Sequence, residues 1–119
     1  ITEGLLGMGI LKGSLQKLIQ TEAYRPYYMH KTGHWLGMDV HDVGDYKIAD
    51  QWRVFEPGMV TTIEPGLYFS ASTKGLSKKW HNIGIRIEDD VLVTASGCDV
   101  LSDAPKTVKE IEDLMRAAH

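Results

Sequence analysis

Met59-Val60-Thr61-Thr62-Ile63-Glu64-Pro65-Gly66-Leu67-Tyr68-Phe69 is a β-rich run with one Pro-Gly pair inside it. Proline gives no ladder hydrogen bond, so Pro65-Gly66 implies a bulge or bend that divides the run. Glu64, immediately before the proline, is held extended. Its neighbours Ile63 and Leu67 imply partial burial, and a buried carboxylate needs a cation, a hydrogen-bond donor or a proton. An isolated glutamate at a strand end ordinarily just faces water. The β-branched flanks and the bend shift that balance only somewhat.

Downstream, Asn82 to Thr94 reads as two more strands. Ile83, Ile85 and Ile87 share one face, and Gly84, Arg86 and Glu88 share the other. Asp89-Asp90 reads as a turn or bulge before Val91-Leu92-Val93-Thr94. Upstream, Met29 to Val43 is extended and interrupted by Gly33 and Gly37, and 44–58 reads as a loop. Residues 1–8 form the end of a helix that Gly7 and Gly9 weaken and stop. Ser14 caps a short helix to about Gln20. Thr107 with Glu110 forms a capping box for a last helix, whose apolar stripe is Val108, Ile111, Leu114 and Met115. Short strands flanked by helices define an α+β chain.

The chain has 119 residues, 43% of them hydrophobic and 24% charged, which fits one soluble domain. A net charge of −3 leaves no basic footprint for nucleic acid. No apolar run approaches the ~20 residues of a membrane span. Cys98, the only cysteine, rules out an internal disulfide and fits a reducing cytoplasm. No basic-then-apolar signal peptide opens the sequence at Ile1.

The chemistry concentrates in Met29-His30-Lys31-Thr32-Gly33-His34-Trp35-Leu36-Gly37-Met38-Asp39-Val40-His41-Asp42. His30 and His34 are four apart. Glycine and β-rich surroundings argue against a helical zinc motif, but in an extended chain the two still share a face. His41 is at odd spacing and reaches the same place only through a bend, for which Gly37 is the candidate. Any one of these histidines is ordinarily a hydrogen-bonded structural residue. Three of them so close, two beside glycine, point to a site. Asp39 and Asp42 read as structural or imidazole-orienting groups. Arg86 beside Glu88 is either a surface pair or a cation next to a ligand. Imidazole and carboxylate together suit manganese, zinc, cobalt or iron, any of which can activate water for hydrolysis. Trp35, Tyr27 and Tyr28 read as core or pocket wall, and Trp52 and Trp80 as loop residues that could line a cleft.

Three stretches, His34 to Gly44, Glu56 to Tyr68 and Gly84 to Asp90, closely resemble the Xaa-Pro aminopeptidases (aminopeptidase P) of the pita-bread peptidase family, in order and spacing. Prolidases share the same ligands. The resemblance implies a curved antiparallel sheet with helices on one face, with residues 1–119 as the C-terminal half of a pita-bread catalytic domain whose N-terminal half is absent. It implies His34, Glu64 and Glu88 as metal ligands, with Glu88 bridging and Glu64 also shuttling a proton. His30 and His41 would hold substrate and stabilise the tetrahedral intermediate, and Arg86 would be an orienting cation. The implied cofactor is a pair of Mn2+ ions, with Zn2+ or Co2+ as alternatives. The implied substrate is a peptide with proline in second position. The family's site also uses two aspartates upstream, whereas the only acids before His30 are Glu3 and Glu22. The expectation is therefore an isolated chain that is inert, and that self-associates or pairs with the missing half. The competing readings are a prolidase-type dipeptidase and a non-catalytic peptide- or protein-binding module on the same fold.

Overall fold

The computed structural model describes residues 1–118. In chain order it contains α1 (Thr2–Gly7), α2 (Leu15–Gln20), β1 (Lys47–Ile48), β2 (Gln51–Trp52), β3 (Val60–Ile63) and β4 (Gly66–Phe69). A 3-10 turn (Lys78–Trp80), β5 (Ile83–Arg86), β6 (Asp89–Thr94), β7 (Gly97–Val100) and α3 (Val108–Ala117) follow. Among the described residues the strands pair antiparallel throughout, in three sheets: β1–β2, β3–β6–β7 and β4–β5. The chain forms two compact units, one of residues 1–31 and 65–86, the other of residues 32–64 and the chain from Ile87 onward.

In the first unit α1 ends because Gly9 takes a left-handed conformation (φ 71°). The N–H groups of Ile10 and Leu11 then both donate to the carbonyl of Leu5. Ser14 caps α2, its hydroxyl accepting from Lys17 N–H at 3.4 Å. Leu5, Tyr27 and Phe69 are the buried centre, with Leu11, Leu67 and Trp80 among the residues packed on it. Tyr27 and Trp80 flank Phe69 at ring separations of 5.7 and 5.6 Å. Leu5 is fully buried, which contributes about 1.5–3 kcal/mol relative to exposure. β4 and β5 pair from Gly66↔Arg86 to Phe69↔Ile83. Pro65 has no N–H to offer, so that ladder stops at Gly66.

The second unit is built on β3–β6–β7, in which Val60 to Ile63 face Leu92 to Asp89 and Val91 to Thr94 face Val100 to Gly97. Thr61, Thr62 and Val91 are its buried residues. Residues 32–36 run along the free side of β3. Glu64 N–H donates to Thr32 O at 2.6 Å, Thr62 N–H to His34 O at 2.9 Å and Leu36 N–H to Val60 O at 3.1 Å. The two backbones come so close that a Cβ on Gly33 would strike the Thr62 carbonyl, which is why glycine stands there. Thr107 and Glu110 form the expected capping box at the start of α3. The apolar stripe Val108, Ile111, Leu114 and Met115 is exposed.

Two expectations fail. Asp89 and Asp90 are not a turn but open β6, and the break falls one step earlier, at Ile87-Glu88. Arg86 and Glu88 therefore do not share one continuous strand. Residues 44–58 are not all loop, because β1 and β2 form a hairpin across Ala49-Asp50. Both turn residues have positive φ (47° and 62°), the type I′ geometry that matches strand twist.

Candidate metal centre

His34 is the best-anchored residue of the centre. Its carbonyl accepts from Thr62 N–H at 2.9 Å and from the Thr61 hydroxyl at 2.8 Å. Its own N–H donates to the Thr62 hydroxyl at 3.0 Å. The ring's Nδ1 lies 2.9 Å from the Trp35 carbonyl. A carbonyl only accepts, so Nδ1 carries the proton and Nε2 of the neutral ring keeps its lone pair. That lone pair points towards Glu64, whose Oε1 is 3.3 Å from Nε2. Both side chains are largely buried, at 15% and 13% exposure.

Glu64 is the last residue before the Pro65 break and is aimed by Thr62. The Thr62 hydroxyl has one proton. It accepts from His34 N–H, so the proton goes to Glu64 Oε1, at 3.2 Å. Thr62 itself is 2% exposed. One buried hydroxyl thus ties the backbone of His34 to the side-chain carboxylate of Glu64.

Glu88, exposed and in the gap between β5 and β6, completes a cluster. One ligand atom each from His34, Glu64 and Glu88 lies within 4.8 Å of the others. Ligand atoms about 2.0–2.2 Å from one ion sit at most roughly 4.4 Å apart. The observed spread is within a side-chain rotation of that limit. An imidazole in the metal-binding tautomer with two carboxylates fits a divalent cation of borderline or hard character.

His41 reaches the same place through the bend that begins at Gly37. Asp42 N–H donates to Trp35 O at 3.0 Å, and Gly37 N–H to Asp39 O at 3.2 Å. This closure brings the His41 ring edge-on to His34, with centroids 4.3 Å apart. Trp35 points elsewhere. It stacks on Tyr46 (5.4 Å) and meets Phe55 edge-on (6.0 Å). Together with Trp52 and Ile63 these rings line a cleft of about 400 Å³.

His30 and Arg86 belong to the first unit. No strand runs through residues 29–34, so the even spacing of His30 and His34 does not put them on one strand face. His30 Nδ1 lies 2.7 Å from the Lys31 carbonyl, so it bears the proton of the neutral ring and Nε2 accepts. Its partner is the Tyr68 hydroxyl at 3.0 Å, and Tyr28 and Tyr68 both pack edge-on against the ring. Arg86 ends β5, opposite Gly66. Sequence reasoning missed Thr62 and Tyr68. The available signal for each was its place beside Glu64, two residues before it and four after it.

The three side chains are a donor set that could hold a divalent cation, and comparison with known proteins gives the family of the chain. The model of metallopeptidase family M24 matches residues 8–95, and the chain belongs to that family. It is 50% identical over 115 residues to the Xaa-Pro aminopeptidase of Haemophilus influenzae, covering 96% of this chain and 26% of that protein. Among solved structures it is similar to aminopeptidase PepP of Pseudomonas aeruginosa, with a TM-score of 0.95, 57% identity, and coverage of 99% of this chain and 27% of that one. A zinc-substituted E. coli aminopeptidase P in complex with product gives a TM-score of 0.91 at 48% identity, with coverage of 99% and 27%. The fold is thus α+β of the pita-bread class that includes aminopeptidase P. The chain spans about a quarter of the length of these relatives. Among the described residues no helix is long and apolar enough to cross a membrane.

Proposed function

We propose that this chain supplies His34, Glu64 and Glu88 to the metal centre of an Xaa-Pro aminopeptidase, a hydrolase that frees the first residue of peptides with proline in second position. The convergence of these three side chains carries the reading. The donor set of two carboxylates and one imidazole suits Mn2+, Zn2+ or Co2+ alike, and the resemblance to aminopeptidase P makes a pair of Mn2+ ions the first choice. Bound metal supplies Lewis-acid polarisation of the scissile carbonyl and a lowered pKa for its water. The chain's own residues do the rest. Glu64, aimed by Thr62, takes the proton from attacking water and passes it to the leaving amine. His41 donates a hydrogen bond to the oxygen that becomes negative at the tetrahedral stage. His30, its Nε2 engaged by Tyr68, and Arg86 hold and orient the peptide.

The whole reaction needs more than these residues. No aspartate precedes His30, so the chain alone holds metal weakly and is inert. Exposed Ile83 and Ile85 on β5 and the exposed stripe of α3 favour self-association or pairing with an upstream half of the same domain. A single, exposed cysteine fits a cytoplasmic setting.

The test extends the chain upstream through two closely spaced aspartates, adds Mn2+ and follows release of the first residue from Xaa-Pro peptides of several lengths. Release from tripeptides and longer peptides is expected. Release from dipeptides alone would identify a prolidase, and metal binding without any release would identify a binding module.

A further inference from the structure

Glu88 is the exposed member of the cluster and lies in a gap between strands, yet the residues that follow it are firmly held. Asp90 N–H donates to the Ser102 hydroxyl at 2.7 Å, and Leu101 N–H donates to Asp90 O at 2.8 Å. The Lys106 ammonium lies 2.9 Å from Asp89 Oδ1. That oxygen is buried and has no aligned hydrogen bond, so the contact is an ion pair. Lys106 is itself fixed by the first turn of α3. Its N–H donates to Glu110 Oε2 at 3.2 Å, the same oxygen that accepts from Thr107 N–H at 2.9 Å and from the Thr107 hydroxyl at 2.8 Å.

We infer that Lys106, anchored by the capping box of α3, is a positioning residue for the metal centre: it clamps Asp89 and so fixes the backbone that presents Glu88. The inference rests on Glu88 being a ligand. Without the ammonium, the buried Oδ1 of the partly exposed Asp89 carboxylate loses its one ion-pair partner among the described residues. Turning the Asp89 side chain towards water relieves this and loosens the first residue of β6, the point from which Glu88 is presented. The helix, whose own side chains are not buried, thereby acquires a task at the site.

The experiment titrates Co2+ alone into the chain and follows its d–d absorption, which reports ligand number and geometry. Lys106→Met is expected to weaken Co2+ binding about tenfold, at the low end of the effect of removing an outer-shell partner. Lys106→Arg restores it, and Asp89→Asn, from the other side of the pair, repeats the loss. In a Glu88→Gln background, Lys106→Met has no further effect, which separates positioning of Glu88 from a general weakening of the fold. The inference is overturned if Lys106→Met binds Co2+ like the parent, or weakens the Glu88→Gln chain as much as it weakens the parent. A parent chain that binds no Co2+ even at concentrations that fill a weak site, or a Glu88→Gln change without effect, overturns the metal-centre reading and the inference together.

Discussion

Thr62→Val removes one hydroxyl, keeps the shape of the side chain and separates the two ligands it connects. The residue is 2% exposed, so water does not replace what is lost. Two hydrogen bonds go: the one accepted from His34 N–H at 3.0 Å and the one donated to Glu64 Oε1 at 3.2 Å. The His34 amide is left without that partner in the interior, and a buried donor in that state costs about 1–3 kcal/mol. Glu64 loses the donor that aims it but can turn to other groups, so its share is smaller. The sum is a loss of about 2 kcal/mol in unfolding free energy. Metal affinity should fall about tenfold or more, because a ligand-orienting partner has been removed. Urea unfolding of the metal-free chain measures the first effect and a Zn2+ titration the second. Thr62→Ser keeps the hydroxyl and should retain most of the metal affinity. A Thr62→Val chain with parental stability and Zn2+ affinity would refute the role assigned to this hydroxyl.

Other outcomes follow from the same geometry. Gly33→Ala drives a Cβ into the Thr62 carbonyl, so it should cost about 1–3 kcal/mol in urea unfolding and weaken Zn2+ binding with it. Replacing Ala49-Asp50 by Asn-Gly puts residues suited to left-handed geometry into the β1–β2 turn, where φ is 47° and 62°. Thermal unfolding should then show a gain of about 0.5–1 kcal/mol. The Glu110 carboxylate is held below its ordinary value of 4.5, chiefly by the Thr107 N–H it accepts and then by the Thr107 hydroxyl. A lowered folded-state pKa means this stabilisation of α3 is complete above about pH 4.5 and is lost as pH falls through the folded value. Far-UV circular dichroism should show helix loss over that acid range, and Glu110→Gln should flatten that pH dependence.

The elements legible in the sequence were those with local signals. Ser14 and Thr107-x-x-Glu110 marked helix starts, Gly9 a helix stop, and Pro65-Gly66 the division between β3 and β4. What escaped depended on partners far along the chain or on unusual turn chemistry. Ala49-Asp50 adopts a turn that Asn-Gly normally announces, so the hairpin was hidden. The aspartates at 89 and 90 are poor strand formers, yet their pairing with Ile63 and Thr62 carries them into β6. At the site, residue types gave His34, Glu64 and Glu88 as candidates only. The tautomer of His34 follows from the neighbouring Trp35 carbonyl, and its grip from Thr62, 28 positions away. The hydrogen bond of His30 to Tyr68 spans 38 positions. Strand periodicity contains no information of that kind.

Anomalous diffraction from crystals of the chain soaked in Mn2+, or in Zn2+, tests the ligand set most directly. The expected peak lies about 2.0–2.2 Å from His34 Nε2 and from carboxylate oxygens of Glu64 and Glu88. A peak held by other residues, or fully occupied metal that leaves any of these three uncoordinated, would contradict it.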